Sequence, residues 1–128
     1  MSLEEANIIR KRAETFLRNA ERLISVGEWD LATFNLEQYC QLMLKYRLLV
    51  TRGSCSRSHS LRTIIRILSQ DAPELISLIE DTDKLHNVAR LEEAYIVARY
   101  LPYMFEEREV KDLHRFVLEV FKHPVERL

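Results

Sequence analysis

Apolar residues recur at helical spacing along most of this chain. From Leu3 to Val26 they stand three and four positions apart, which places them on one stripe and predicts a helix that stops at Gly27. From about Trp29 to Thr51 they cover most of the helical circumference, which is typical of a helix that is buried or contacts another subunit. Three polar residues at every fourth position of this second helix predict a single solvent-facing stripe: Glu37, Gln41 and Lys45.

A serine-rich linker follows the second helix. Its letters, "RGSCSRS", occupy positions 52–58, and "LRTIIRILSQ" at positions 61–70 then resumes the helical pattern. Ser58 or Ser60 can cap this short third helix, because a serine oxygen accepts a hydrogen bond from an N–H group of the first turn. The chain up to residue 70 therefore predicts three helices.

Prolines and acidic residues mark the remaining helices. Pro73 suits the first turn of the next helical stretch, and Asp81 or Thr82 can cap the helix that follows it. Pro102 ends that helix, because a proline inside a helix removes a backbone hydrogen bond. The segment 106–122 predicts a last helix whose first turn is acidic, where the helix dipole favours negative charge.

Composition narrows this pattern to one fold class. Two glycines and three prolines are too few for the turns of an all-β protein, whereas good helix formers recur throughout. A chain of 128 residues can bury one core but not two, so we expect a single domain over residues 1–128. Short connections favour an all-α, antiparallel up-and-down bundle of four to five helices, and the apolar second helix leaves room for a homodimer interface.

The charge balance excludes several classes of partner. With 19 Lys and Arg against 20 Asp and Glu, the chain has no overall field that would attract nucleic acid or an anionic membrane, so any anion site must be local. The N-terminus is charged where a signal peptide needs apolar residues, and no apolar run approaches the ~18 residues of a membrane span. We expect a cytoplasmic protein that does not contact a membrane.

Metal and cofactor chemistry has no sequence support. Cys40 and Cys55 lack the CxxC spacing of a metal or redox site, and the four histidines are scattered along the chain. There is also no glycine-rich phosphate loop. We therefore predict no metal site and no cofactor.

The letters "AYIVARYLP" form the first candidate binding site. Tyr95 and Arg99 are four positions apart and share one helix face, with Tyr100 beside them at the helix end. An arginine can pair with a phosphate through two parallel hydrogen bonds while an aromatic ring stacks on a base. Alternatively, the tyrosines are amphipathic boundary residues and Arg99 pairs with Glu92 or Glu93 on a solvated face.

The letters "SRSHSL", at the start of the third helix, form the second candidate. A helix N-terminus presents unpaired N–H groups and the positive end of its dipole, so a phosphate or carboxylate could dock there. Arg57, His59 and Arg62 surround this point, and Ser60 adds a hydroxyl. Helix capping alone also explains the serines.

A third candidate is the pair Arg108 and His114. Five residues separate them, a spacing seen where arginine binds the scissile phosphate and histidine transfers protons in metal-independent RNA cleavage. A separation of six positions is roughly 600° of helical rotation, so the two side chains point to different faces unless Arg108 precedes the helix.

Three patches of this sequence together resemble the HEPN family, the "higher eukaryotes and prokaryotes nucleotide-binding" domains. They are "GEWDLATFNLEQYCQLMLKYRLLVTRG" at 27–53, "HSL" at 59–61 and "YIVARYLP" at 95–102. The first patch is similar to the family's second helix, and the last is similar to its "RYP" ending. Four residues of the first patch fill the recurring positions of that helix: Ala32, Glu37, Gln38 and Lys45.

The resemblance implies a four- or five-helix bundle that commonly dimerises, binds nucleotide and is associated with a minimal nucleotidyltransferase. One branch of the family consists of RNases that use an R-x4-6-H motif. Matched by motif, the nucleotide-binding residues in this chain would be His59, Ser60, Tyr95, Arg99 and Tyr100.

Two departures from the family pattern affect these expectations. Leu101 separates Tyr100 from Pro102, which alters the compact "RYP" ending and the loop that would close over a ligand. Downstream of Arg90, Tyr95 stands where the RNase members carry their histidine. A tyrosine with a pKa of ~10 is a poor general base at neutral pH, so we assign no catalytic residue.

The leading hypothesis is a homodimeric helical domain that binds a nucleotide or an RNA phosphate and acts with a nucleotidyltransferase subunit, without strong catalysis of its own. One alternative is a metal-independent ribonuclease of the toxin–antitoxin kind that uses Arg108 and His114 or a set of residues across the dimer. The other is a purely structural interaction module in which the second helix docks a partner.

Overall fold

The computed structural model describes residues 3–101 and 104–127. Within these ranges the chain forms helices and turns and contains no strand, which confirms the all-α antiparallel bundle. The helical segments, in chain order, are α1 (Leu3–Ser25), α2 (Trp29–Arg52), α3 (Leu61–Ser69), a 3-10 turn (Pro73–Ile76), α4 (Ser77–Glu80), α5 (Thr82–Tyr100), α6 (Glu107–Phe116), a π turn (Val117–Phe121) and α7 (Lys122–Glu126). The helix stop predicted at Pro102 lies outside the described residues.

Helix α2 occupies the centre of the bundle. It packs against α1 along its length and also contacts α3, α5, α6 and α7. Among its large apolar residues, only Leu31 and Val50 are exposed. The apolar surplus of α2 is therefore used inside the chain, and of the two interpretations of this helix the structure supports the buried one.

The contact between α1 and α2 depends on small side chains and a tight turn. Ala6, Ala13 and Ala20 of α1 are buried, and alanine at a helix contact lets two helix axes approach closely. Gly27 makes the reversal between the helices in the left-handed region, at φ 77°, which a side chain would disfavour. This reversal sets α1 and α2 antiparallel.

Side-chain caps fix the starts of the later helices. Ser60 caps α3 by accepting a hydrogen bond from the Thr63 N–H group, and Asp81 caps α5 by accepting one from Lys84 N–H. In each case the structure selects one of the two residues that the sequence offered. Glu106 and Glu109 form a reciprocal capping box at the start of α6.

The C-terminal helix is continuous through a wider turn that the sequence pattern did not predict. Its inward face carries Val110, Leu113, Val117 and Phe121, which are buried. Pro124 follows within one turn of the π segment and has no N–H group to donate, so the regular hydrogen-bond ladder is interrupted at this point.

The solvent-facing stripe predicted for α2 is wrong for two of its three residues. Glu37 is 0% exposed and Gln41 is 4% exposed, whereas Lys45 is half-buried. The segment before α3 and the second half of α5 cover this face, and hydrogen bonds satisfy the buried polar atoms. Polar periodicity on α2 therefore marks an internal hydrogen-bond network beneath the candidate site.

Candidate functional site

Tyr95 is the centre of a group of aromatic rings drawn from three parts of the chain. The His59 ring, from the segment before α3, stacks on it with the ring centroids 5.3 Å apart and the planes inclined by 18°. The Phe34 ring of α2 lies on it at 6.4 Å and 27°. The structure thus brings two of the predicted site residues, His59 and Tyr95, into direct contact although they are far apart in sequence.

Arg99 extends this aromatic group toward solvent. Its guanidinium carbon lies 4.7 Å from the Tyr95 ring centroid and 4.8 Å from the Tyr100 centroid, within the range of cation–π attraction. One guanidinium nitrogen donates a 2.6 Å hydrogen bond to the Tyr100 hydroxyl. We call His59, Tyr95, Arg99 and Tyr100 the Tyr95 cluster.

The charge of Arg99 is held by aromatic groups rather than by an acid. A hydrogen bond to Tyr95 is the main cause that raises the pKa of Arg99. Within residues 3–101 and 104–127, no carboxylate forms an ion pair with it, and Glu92 pairs instead with Arg62. The alternative pairing of Arg99 with Glu92 or Glu93 is therefore not observed, and the guanidinium remains exposed.

The N-terminus of α3 holds a carboxylate of the chain itself. Glu92 of α5 accepts hydrogen bonds from the Ser60 hydroxyl at 2.9 Å and from the Arg62 N–H group at 2.8 Å. The Arg62 guanidinium adds two more, at 3.0 and 2.8 Å. Glu92 thus occupies the anion position predicted there, so a ligand phosphate that contacts Ser60 would have to displace it.

A chain of hydrogen bonds leads from His59 into the protein. Nδ1 of His59 lies 3.0 Å from Oε1 of Gln41, and Nε2 of Gln41 donates to Oε2 of Glu37 at 2.8 Å. Gln38 donates to the other Glu37 oxygen at 2.7 Å. Burial raises the pKa of Glu37 to about 7, against the opposing effect of these two hydrogen bonds.

Sequence reasoning missed Gln41 as part of the site and gave Glu37 the wrong environment. The signal that could have found them is their spacing of four on the face of α2 that also carries Phe34 and Gln38. The spacing alone does not show that His59 and Tyr95 cover that face.

Arg108 and His114 are not brought together as an RNA-cleaving pair. Arg108 is the second residue of α6, inside the helix, so the two side chains point to different faces. Nε2 of His114 lies 2.9 Å from a carboxylate oxygen of Glu21 on α1, and Arg108 is exposed.

A cleft of about 440 Å³ lies away from the Tyr95 cluster, between α1, α2 and α7. Its charged lining is partly paired within the protein: Arg47 donates to the Val125 carbonyl at 2.8 Å, and Arg10 pairs with Glu14 at 3.0 Å. Arg18 also lines the cleft and is exposed.

The described part of the chain contains no group of three or more His, Cys, Asp or Glu residues that could hold a metal ion. None of its helices combines the length and the apolar character needed to cross a membrane.

Comparisons with known proteins identify the fold and the family. A sequence model of the HEPN domain matches residues 6–128. The crystal structure of TT1696 from Thermus thermophilus superposes with a TM-score of 0.74 and 23% sequence identity, over 96% of this chain and 98% of that one. At this identity the likeness establishes the fold alone. No curated protein matches the sequence significantly.

Proposed function

Because this chain belongs to the HEPN domain family, we propose that its Tyr95 cluster binds a nucleotide or an RNA phosphate. The observation that carries the proposal is the state of Arg99, whose guanidinium is exposed, rests on two tyrosine rings and has no carboxylate partner among the described residues. A phosphate supplies the negative charge and the paired acceptor oxygens that such a guanidinium binds best.

The aromatic rings beside Arg99 suit the other half of a nucleotide. Tyr100 and His59 present flat π surfaces next to a cation, which is the combination that holds a base while its phosphate is neutralised, and Tyr95 supports His59 and Arg99 from beneath. Tyr100 is 67% exposed, so its ring is free to stack on a base. Ser60 contributes to this site only if a ligand oxygen replaces Glu92 at the start of α3.

The proposed activity is binding without catalysis, alongside a nucleotidyltransferase subunit and in a homodimer. The position that would carry the histidine of the RNase members is Tyr95, and its ring is engaged by His59 and Arg99. Arg108 and His114 lie on different faces of α6 and do not replace that pair. The support for the nucleotidyltransferase and the homodimer is family membership.

Calorimetric titration with AMP, ATP and a short RNA tests this proposal. We expect saturable binding by the wild type and binding weaker by about tenfold or more for Arg99→Ala, because an arginine–phosphate pair is a strong charge-assisted contact. Arg18→Ala is the matched control, since it removes an exposed arginine from the cleft between α1, α2 and α7.

Three results would contradict the proposal. They are the absence of binding by a folded wild-type protein, equal affinity in all three proteins, and loss of binding in Arg18→Ala alone, which would place the ligand in the cleft. We also expect the RNA to keep its original length after incubation with the protein. Specific cleavage that is abolished by His114→Gln would favour the ribonuclease instead.

A further inference from the structure

The hydrogen bonds around Glu37 determine which atom of Gln41 faces His59. An ionised carboxylate only accepts hydrogen bonds, and both oxygens of Glu37 receive amide N–H groups, one from Gln38 and one from Gln41. The NH₂ group of Gln41 must therefore point to Glu37. Its oxygen is left facing His59, at 3.0 Å from Nδ1.

This arrangement fixes the position of the proton on the imidazole. The amide oxygen of Gln41 cannot donate, so Nδ1 of His59 must carry the hydrogen atom that joins them. A neutral imidazole has one N–H group, so Nε2 then carries a lone pair and can only accept. His59 is exposed, and among the described residues Nε2 has no hydrogen-bond partner.

We propose that Glu37 and Gln41 act as positioning residues that present Nε2 of His59 as a hydrogen-bond acceptor in the Tyr95 cluster, so that the ligand must offer a donor there. This inference rests on the proposed function. It divides the site into an anion contact at Arg99 and a contact at His59 that accepts a hydrogen bond from the ligand, which replaces the anion role predicted for His59. A ribose hydroxyl and a base amine share the required chemistry.

The stacking of His59 on Tyr95 restricts how this donor can approach. The lone pair of Nε2 lies in the plane of the imidazole, and that plane is within 18° of the Tyr95 ring. The donor must therefore approach the ring edge rather than its face. Such a contact selects ligands whose hydroxyl or amine group points at the edge of the His59 ring. Stacking alone makes no such selection.

The protonation of Glu37 sets the conditions for the test. A protonated Glu37 could donate to the Gln41 oxygen, and the amide could then turn its NH₂ group toward His59. Burial, and to a smaller extent Glu92 of α5, raise the pKa of Glu37, while the two hydrogen bonds and Lys45 of α2 lower it, and the net pKa is about 7. The tautomer should therefore be measured at a pH of about 8.5, where the carboxyl group is ionised.

Long-range ¹H–¹⁵N NMR correlation on the ¹⁵N-labelled protein reports the tautomer directly. The His59 signals are identified by their absence in His59→Phe, which keeps a flat ring against Tyr95. We expect the Nδ1–H form in the wild type and loss of that preference in Gln41→Met, which removes the acceptor while keeping side-chain length. An Nε2–H form in the wild type, or an unchanged tautomer in Gln41→Met, overturns the inference.

Ligand analogues then identify the donor. AMP is compared with its 2′-deoxy and 3′-deoxy forms and with purine riboside monophosphate, which lacks the base amine, on wild type and His59→Phe. For the wild type we expect one analogue to bind about threefold to tenfold more weakly than AMP, and for His59→Phe we expect no such difference.

The outcomes separate this inference from the proposed function. Equal binding of all four ligands by the wild type, or a loss that persists in His59→Phe, overturns the donor contact while the nucleotide site stands. If AMP does not bind at all, the proposed function fails, the donor contact falls with it, and the NMR result decides the positioning roles of Glu37 and Gln41.

Discussion

Glu37 shows how a single residue can follow a surface pattern and still be buried. Its spacing from Gln41 and Lys45 is the same whether the row faces water or an internal network. The difference depends on His59 and Tyr95, which come from later parts of the chain and cover the row. No local pattern contains that information. The sequence therefore shows which face of α2 carries the Glu37 carboxylate, but not that later parts of the chain bury this face.

The burial of Glu37 makes the stability of the protein depend on pH. Its pKa is about 7 in the folded protein against 4.5 in the unfolded chain, so the folded state binds the proton more tightly. The stabilisation from Glu37 is therefore complete below pH 4.5 and is lost as pH rises through 7. Glu37→Gln cannot ionise, and its free energy of unfolding relative to wild type should rise between these pH values by up to about 3 kcal/mol.

Urea unfolding of both proteins across this pH range measures the difference. The control is Glu93→Gln, which removes an exposed carboxylate from α5. Its unfolding free energy should follow that of the wild type at every pH. Parallel curves for Glu37→Gln and wild type would mean that Glu37 is not preferentially protonated in the folded state.

At the scale of the elements, Glu92 joins α5 to the start of α3. The sequence predicted the cap of α3 by local chemistry, and Ser60 fills that role. It did not predict that a glutamate 30 residues after Arg62 would take the anion position at the same helix end. Helix caps are short-range features, whereas this ion pair depends on how α3 and α5 pack.

Removing the charge of Glu92 should weaken this junction. Glu92→Gln keeps the size of the side chain but loses the charge-assisted bonds to Arg62 and the favourable interaction with the helix dipole. We expect the free energy of unfolding to fall by about 1–2 kcal/mol, because the partly exposed Arg62 is screened by solvent. Thermal and urea unfolding measure it, and Glu93→Gln should change it by no more than about 0.5 kcal/mol. An equal effect of the two substitutions would remove the structural role given to Glu92.

Across the whole molecule, the sequence predicted what depends on local periodicity and missed what depends on packing. The order of the helices follows from apolar spacing. The same spacing shows which face of the segment from α6 through the π turn points inward, where Val110 and Val117 are buried. The central place of α2 and the contact of His59 with Tyr95 depend on which faces meet. For the site, the sequence supplied the residues of the Tyr95 cluster, and the structure supplied the network beneath them.

Several exposed apolar residues lie where α2 begins and α5 ends. Ile96 of α5 and Leu101, which directly follows this helix, are exposed, and so is Leu31 in the first turn of α2. The Phe105 N–H group donates to Asp30 at 2.8 Å, which brings exposed Met104 to the start of α2. Exposed large apolar residues gathered at one end of a helical bundle are typical of an interface.

This surface is where we expect the homodimer to form. The wild type should sediment as a dimer, and Ile96→Asp should shift it to monomer, because an aspartate in a closed interface would lose its hydration. Ile8→Asp is the matched control, since Ile8 is about as exposed as Ile96, at 49% against 52%, but lies on α1. A monomeric wild type at every concentration, or equal dissociation by both substitutions, would exclude an interface at this end of the molecule. Because Ile96 adjoins Tyr95 on α5, a dimer formed here would place the Tyr95 cluster of each subunit beside the interface.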